Sequence, residues 1–404
     1  MAFFRGWEWR EYTRGTEVVV DLSGCEFLAP WAVALIATYV LWLERVHKCD
    51  VRVKLRKGSR TAKYVETSGL YELFGGSSPS GASGDDEKRT APLRLVETER
   101  DIPQCAQSIT RLLQVGDQDL EGAIYYSFIE LLRNVVQHSR SPVGGVAMAQ
   151  FYPRTGLVEV VVADAGVGIR TTLTRGYPEL RTDLGALKFS LLPHVSGTFG
   201  EGAYQSMKDN AGLGLFFVKE IATRGSGGFF LASGDSIVDL WGNLDGSPGK
   251  RYLSGTPGWH GTFAMMQLRK DRIADFEGLL ERCRELAAEA RKDPGRWFVD
   301  FVNELPEIGG EFAAVSIAAI EEDVAAASTV REELIIPSLK KSIPVVLDFH
   351  GIRFATQSFA HALLYKVVRD CPEARHLLTI ARASRPSQEA IRAVAAYAST
   401  GHAE

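Results

Sequence analysis

The sequence predicts an α/β (α+β) protein: a central two-layer α/β sandwich with smaller α/β modules at each end. Three observations lead there. A strand–helix–strand–helix order fills residues 16–74 and returns within residues 344–398. Between them, short apolar runs joined by tight turns alternate with amphipathic helices, which asks for an antiparallel sheet with helices layered on one face. Residues 75–92, GGSSPSGASGDDEKRTAP, are too rich in Gly, Ser, Pro and charge to bury a core, so they read as a flexible linker.

Composition narrows the class. A chain of 404 residues is long enough for two or three domains. Its net charge of −4 argues against a nucleic-acid surface. Five scattered cysteines without a CxxC spacing read as reduced thiols of a cytoplasmic protein, neither a disulfide framework nor a zinc site. His194, His260, His350 and His361 share no ligand spacing, so no transition-metal site is expected. No signal peptide is visible at the N-terminus. Residues 27–43, FLAPWAVALIATYVLWL, carry no charge over 17 positions. At about 1.5 Å per residue that helix is roughly 26 Å long, short of a bilayer core. Pro30 and the strand-like runs on either side favour a buried core helix, and a membrane role is not expected.

Taken in order, the first module (1–75) reads as a strand at 16–22, the apolar helix at 29–46, an alternating strand at 51–55 and a helix at 61–74 broken at Ser68-Gly69. After the linker (76–92), the central part (93–270) opens with helices at 102–114 and 119–138. Strands at 146–152 and 157–163 are joined by a Pro-Arg-Thr-Gly turn, and further strands fall at 228–233, 237–241 and 262–268. A helical connector (271–305) holds a helix at 275–291 and continues helical over 297–305. The last part (306–404) reads helix 328–339, strand 344–349, helix 359–369, strand 377–380 and helix 387–398, with Ser387 as its cap and Glu389 in its first turn. VVVDLSGCEFL near the start and VVLDFHGIRFA near the end align by eye, which suggests an internal duplication.

The chemistry gathers on residues 128–139, FIELLRNVVQHS. Glu130 and Asn134 stand four apart and project from one helix face, one turn from each other. An Asn carbonyl can hold a hard divalent cation, and a Glu carboxylate can take a proton from water or a hydroxyl. Then VVVADAGVGI brings Asp164, Gly166 and Gly168 to the end of an apolar run. NAGLGLFFVKEIA opens a helix with Gly212, Leu213 and Gly214, and Gly261-Thr262 heads the last strand.

This order over about 140 residues resembles the GHKL ATP-binding superfamily, which includes gyrase B, MutL, the heat-shock chaperone and the sensor and anti-sigma kinases. The resemblance implies a Bergerat-type two-layer sandwich whose sheet is mixed, binding ATP and Mg²⁺. It assigns Asp164 to the exocyclic amine of adenine, with Gly166 and Gly168 letting the backbone pass close to the base. Gly212 and Gly214 would lead into a helix N-terminus that receives phosphates. Leu213 lies between them, and Thr262 would sit near the adenine. Asn134 would hold Mg²⁺ and Glu130 would be the general base. Residues 197–213 would form the ATP lid, with Lys208 and Ser206 within reach of phosphate. His138, one turn beyond Asn134, would brace the carboxylate or face solvent.

Both end modules resemble STAS domains: a strand, a long helix, a strand, and SGLYELF in the first. Where phosphorylatable members carry a serine, the first module reads Phe27-Leu28-Ala29-Pro30-Trp31 without a hydroxyl. The last module carries Thr356 and Ser358 there, and Ser358 is a candidate phosphate acceptor. The layout looks like the kinase and antagonist of a partner-switching system fused in one chain. It implies a regulatory ATPase or a Ser/Thr kinase of the anti-sigma-factor type, with protein partners at the STAS-like ends and a homodimer. The other reading is a nucleotide-gated dimer switch or scaffold with little turnover, in stress or anti-phage signalling. A sensor histidine kinase is disfavoured because no acceptor-His helix precedes the central part, and a mechanochemical ATPase because no basic transducer follows it.

Overall fold

The computed structural model describes residues 7–73, 90–113, 116–195, 212–243, 248–255, 258–292, 298–320 and 323–400. The chain is of mixed α/β class, with three sheets among the described residues. The first is a parallel pair, β1 (Glu17–Asp21) with β2 (Asp50–Lys54), bridged by α1 (Pro30–Arg45). α2 (Arg60–Thr67) and α3 (Leu70–Leu73) follow, separated at Gly69, which takes φ +77°.

The central sheet is built from β3 (Thr90–Val96), β4 (Gly145–Tyr152), β5 (Leu157–Asp164), β6 (Gly228–Gly234), β7 (Ser236–Gly242), β8 (Pro248–Leu253) and β9 (Trp259–Arg269). Its order is β3-β4-β5-β9-β6-β7-β8, and every pairing is antiparallel, where the family resemblance implies a mixed sheet. β3 takes in residues 90–92, which the composition assigned to the linker. Pro92 is tolerated there because β3 is an edge strand with an irregularity between Ala91 and Arg94. The rest of the expected linker, 76–89, lies outside the described residues.

Helices were expected on one face of this sheet; they lie on both. One face carries α4 (Asp101–Leu113), α5 (Gln118–Asn134) and α8 (Gly214–Arg224), with Ile109, Phe128, Leu132 and Phe216 packed on Val158, Val160 and Val162 of β5. The opposite face carries α1, which shares a core with Val161, Ala163, Val146 and Phe263. β5 alternates strictly between the two cores, so its apolar run belongs to a strand buried on both sides. α1 is apolar all round for the same reason: 13 of its 16 residues are buried. No helix among the described residues is long and apolar enough to cross a membrane.

Two short helices, α6 (Gly168–Leu173) and α7 (Asp183–Ser190), precede α8, and α9 (Phe276–Lys292) follows β9. The chain does not continue helical to 305: residues Asp300–Val302 form β10, which pairs with β13. The last sheet is all parallel in the order β10-β13-β12-β11, from β11 (Ala313–Ser316), β12 (Val345–Asp348) and β13 (Leu378–Ala381). Around it stand α10 (Val324–Val330), α11 (Ile336–Lys340), α12 (Gln357–Asp370), α13 (Ala374–Leu377) and α14 (Arg385–Thr400). Ser387 does not cap α14. The helix starts two residues earlier, Ser384 Oγ accepts the N–H of Ser387 at 3.4 Å, and the buried Ser387 hydroxyl accepts the N–H of Ala355 at 3.0 Å.

Candidate functional site

α5 begins at Asp117, whose side chain accepts the N–H of Leu120 at 2.9 Å. It buries Leu120, Ile124, Phe128, Leu131 and Leu132 against the sheet, which turns Glu130 and Asn134 toward its margin. The helix then widens into a π-turn, Val135–Ser139, ended by Arg140 at φ +53°. Such an inserted turn often marks a functional site, and here it carries the chain to the end of β5. The carbonyl of Ser139 accepts the N–H of Val167 at 2.8 Å. A Cβ at Gly166 would stand 2.1 Å from that carbonyl oxygen. Gly166 is therefore needed for contact between two backbones.

Between the helix layer and the sheet opens a cavity of about 850 Å³. Its wall contains Glu130, Asn134 and His138 from α5 and the π-turn, Asp164 and Gly168 from the end of β5, Gly212, Leu213 and Gly214 at the start of α8, and Thr262 on β9. Four segments far apart in the chain thus meet in one place. Gly166 stands just behind this wall, and its N–H donates to Asp164 Oδ1 at 2.8 Å. Lys208 and Ser206, with most of the expected lid, lie outside the described residues. Ser358 is in the last part of the chain, exposed at the second position of α12; the cap there is Thr356, which accepts the N–H of Phe359 at 3.2 Å.

Asp164 is 2 % exposed. Oδ1 accepts the N–H groups of Gly166 and, at 3.3 Å, Thr262, whereas Oδ2 accepts none among the described residues. Burial pushes its carboxyl up to about 7, against the opposing pull of these two N–H groups. Burial also raises the Glu130 carboxyl and Arg133 opposes it; Arg133 Nη1 donates to Oε1 at 3.0 Å. A Cβ at Gly214 would fall 2.5 Å from Glu130 Oε2, so the first residue of α8 has to be glycine for the carboxylate to sit against the helix start. Gly212 at φ +75° passes over the backbone of His194 and Val195, where a Cβ would stand 2.8 Å away. Asn134 Nδ2 is buried without a hydrogen-bond partner among the described residues, an orphaned donor in a cavity wall. Burial lowers the His138 imidazole, which keeps it neutral.

Chemically, the cavity wall offers a buried carboxylate oxygen of Asp164 as acceptor, together with the N-terminus of α8, the Asn134 amide and the Glu130 carboxylate. The amide and carboxylate oxygens suit a hard cation, and the helix start suits an anion.

Sequence reasoning missed several contacts here. Trp259 is 1 % exposed and its Nε1 donates to the Asp164 carbonyl at 3.1 Å. Gly261, at φ +105°, lies so close that a Cβ would be 2.2 Å from the same carbonyl oxygen. Ser233 bridges two turns beside it. Arg133 and Arg284 also line the cavity. Of these residues, Arg133 carried a signal in its three-residue spacing from Glu130, and Gly261 already stood in the Gly261-Thr262 motif, which did not foretell its contact with Asp164.

Comparison with known proteins adds one finding. Residues 326–388 match a family described as a STAS-like domain of unknown function (DUF4325). The match runs from α10 into the start of α14 and takes in β12 and β13. No curated protein matches the sequence.

Proposed function

We propose that the chain is an ATP-binding regulatory protein of the GHKL superfamily, acting in the cytoplasm through a nucleotide site in its central part. The observation that carries this reading is the meeting of Asp164, the Gly212–Gly214 turn and the Glu130–Asn134 face around one cavity. Asp164 Oδ2 accepts the exocyclic amine of adenine. The start of α8 and Asn134 Nδ2 donate to phosphate oxygens. Asn134 Oδ1 is the ligand for Mg²⁺, which when bound neutralises phosphate charge. Glu130, held by Arg133, takes the proton of the attacking water or of a protein Ser/Thr hydroxyl. Protein partners bind through the STAS-like domain, and the active form is a homodimer.

One observation favours the second reading, a nucleotide-gated switch with little turnover. Helix α7, whose Ser190 lines the cavity, is joined to the STAS-like sheet by buried ions. Lys188 Nζ stands 2.9 Å from Asp300 Oδ2 and donates to Thr379 Oγ1 at 2.8 Å. Incubation with γ-labelled ATP separates the readings: label on protein marks a kinase, free phosphate a hydrolase, and neither a gate. Absence of nucleotide affinity by calorimetry refutes both.

A further inference from the structure

We propose that Ser233 is a positioning residue for base recognition: its hydroxyl ties together the two glycine turns that frame Asp164 and so holds the carboxylate where it meets adenine. This inference rests on the nucleotide reading above.

Ser233 is the last residue but one of β6 and is 3 % exposed. Its Oγ donates to the Gly261 carbonyl at 2.6 Å and accepts the N–H of Ile169 at 3.0 Å. The first partner belongs to the turn that presses on Asp164: a Cβ at Gly261 would be 2.7 Å from Asp164 Oδ1. The next residue, Thr262, gives that oxygen its second N–H. The other partner is the second residue of α6. The first, Gly168, lines the cavity at φ +77°, and a Cβ there would be 2.8 Å from Ser233 Oγ. One buried hydroxyl thus fixes both the donor side of the carboxylate and the glycine beside the base.

Loss of this hydroxyl leaves a buried carbonyl and a buried N–H without their partner, and both turns must shift to recover one. The shift falls on the residues that aim Asp164, so it is selective for ligands that use that acceptor. Inosine triphosphate carries a carbonyl where ATP carries the amine. A site built to accept an amine rejects such an analogue, and Ser233 is what keeps that rejection sharp.

The test is calorimetric titration of the full chain with ATP and with inosine triphosphate, alongside thermal melts. Wild type prefers ATP. In Ser233→Ala the affinity for ATP falls about tenfold while that for the inosine nucleotide changes little. Ser233→Thr, which keeps the hydroxyl, retains the preference, whereas the near-isosteric Ser233→Cys narrows it. A Ser233→Ala protein that melts lower but keeps the wild-type ratio overturns the proposal. If Ser233→Ala does not fold, equal ratios in the Thr and Cys variants overturn it. A wild type that binds ATP without preference also overturns it, while a wild type that binds neither nucleotide refutes the nucleotide reading itself.

Discussion

Asp164→Asn tests the site most directly, because two effects of one carboxylate act in opposite directions. Folding raises this carboxyl from about 3.8 to about 7. Between those values the folded chain keeps a proton that the unfolded chain has lost. Stability therefore falls as pH rises through the window, by about 1.4 kcal/mol per unit, and is lowest above pH 7. Asparagine has the same shape and no charge. Its Oδ1 can keep the N–H groups of Gly166 and Thr262, while its Nδ2 takes the place of the oxygen that accepts neither. The variant should exceed wild type in stability by about 1–2 kcal/mol at pH 5 and by roughly 4 kcal/mol at pH 8. Its ATP affinity should drop by about 10- to 100-fold, since an acceptor of the charged kind is exchanged for a second donor. In wild type the affinity should climb about tenfold from pH 6 to pH 8 as the carboxylate forms. Denaturant melts and calorimetric titrations over pH 5–8 measure both. An Asp164→Asn protein that binds ATP like wild type refutes the reasoning, as does one that loses affinity only because it has lost its fold.

Three further outcomes follow from the same geometry. Gly214→Ala would put a Cβ 2.5 Å from Glu130 Oε2; the carboxylate must move, and steady-state turnover should fall about tenfold or more with a smaller change in ATP affinity. Arg133→Met removes the cation that counteracts burial of Glu130, so the acidic limb of the pH–rate profile should move to higher pH, while stability changes by less than about 1 kcal/mol because Arg133 is half exposed. Lys188→Met strips one of the two lysines that hold Asp300 well below the usual carboxylate range against the upward push of its burial. Chemical denaturation should show a loss of about 2–4 kcal/mol near neutral pH that shrinks in acid, where the carboxylate is protonated anyway.

What could be read from the chain and what could not divide along contact range. The Glu130–Asn134 face is one helical turn, and Gly212 and Gly214 stand two residues apart, so their joint purpose is written locally. Ser233 looks like one more small residue before a Gly-Asp turn; its use depends on Ile169 and Gly261, which only the fold brings near. The uniform apolarity of α1 announces burial on all sides but not the partner, which is the second face of β4 and β5. β10 is three residues long, too short for any period to show, and it becomes a strand because β13 offers it a parallel edge. Gly166 was expected to make room for a ligand; the room it makes is for the carbonyl of Ser139.

The two ends of α7 make it the physical link between the cavity and the STAS-like sheet. At its start Asp183 binds the guanidinium of Arg170 on α6 at 2.7 Å and accepts the N–H of Asp235 at 3.0 Å. Gly185 lies so near the buried ring of His376 that a Cβ would be 2.7 Å from it, and burial, with Lys188 and Arg375 nearby, lowers that imidazole to about 4. Lys188 then reaches Asp300 and Thr379, and Ser190 returns to the cavity wall. Seven consecutive residues of this helix, 184–190, are buried, so it has no solvent face along which to slide. A change in the cavity that displaces α7 at Ser190 either breaks the ion pair with Asp300 or carries β10 and β13 with it, whereas one that displaces α6 alone can part the half-exposed Arg170 from Asp183 instead. Breaking the pair with Asp300 costs several kcal/mol in a buried setting, so a ligand-driven shift at this helix would be passed to the STAS-like sheet.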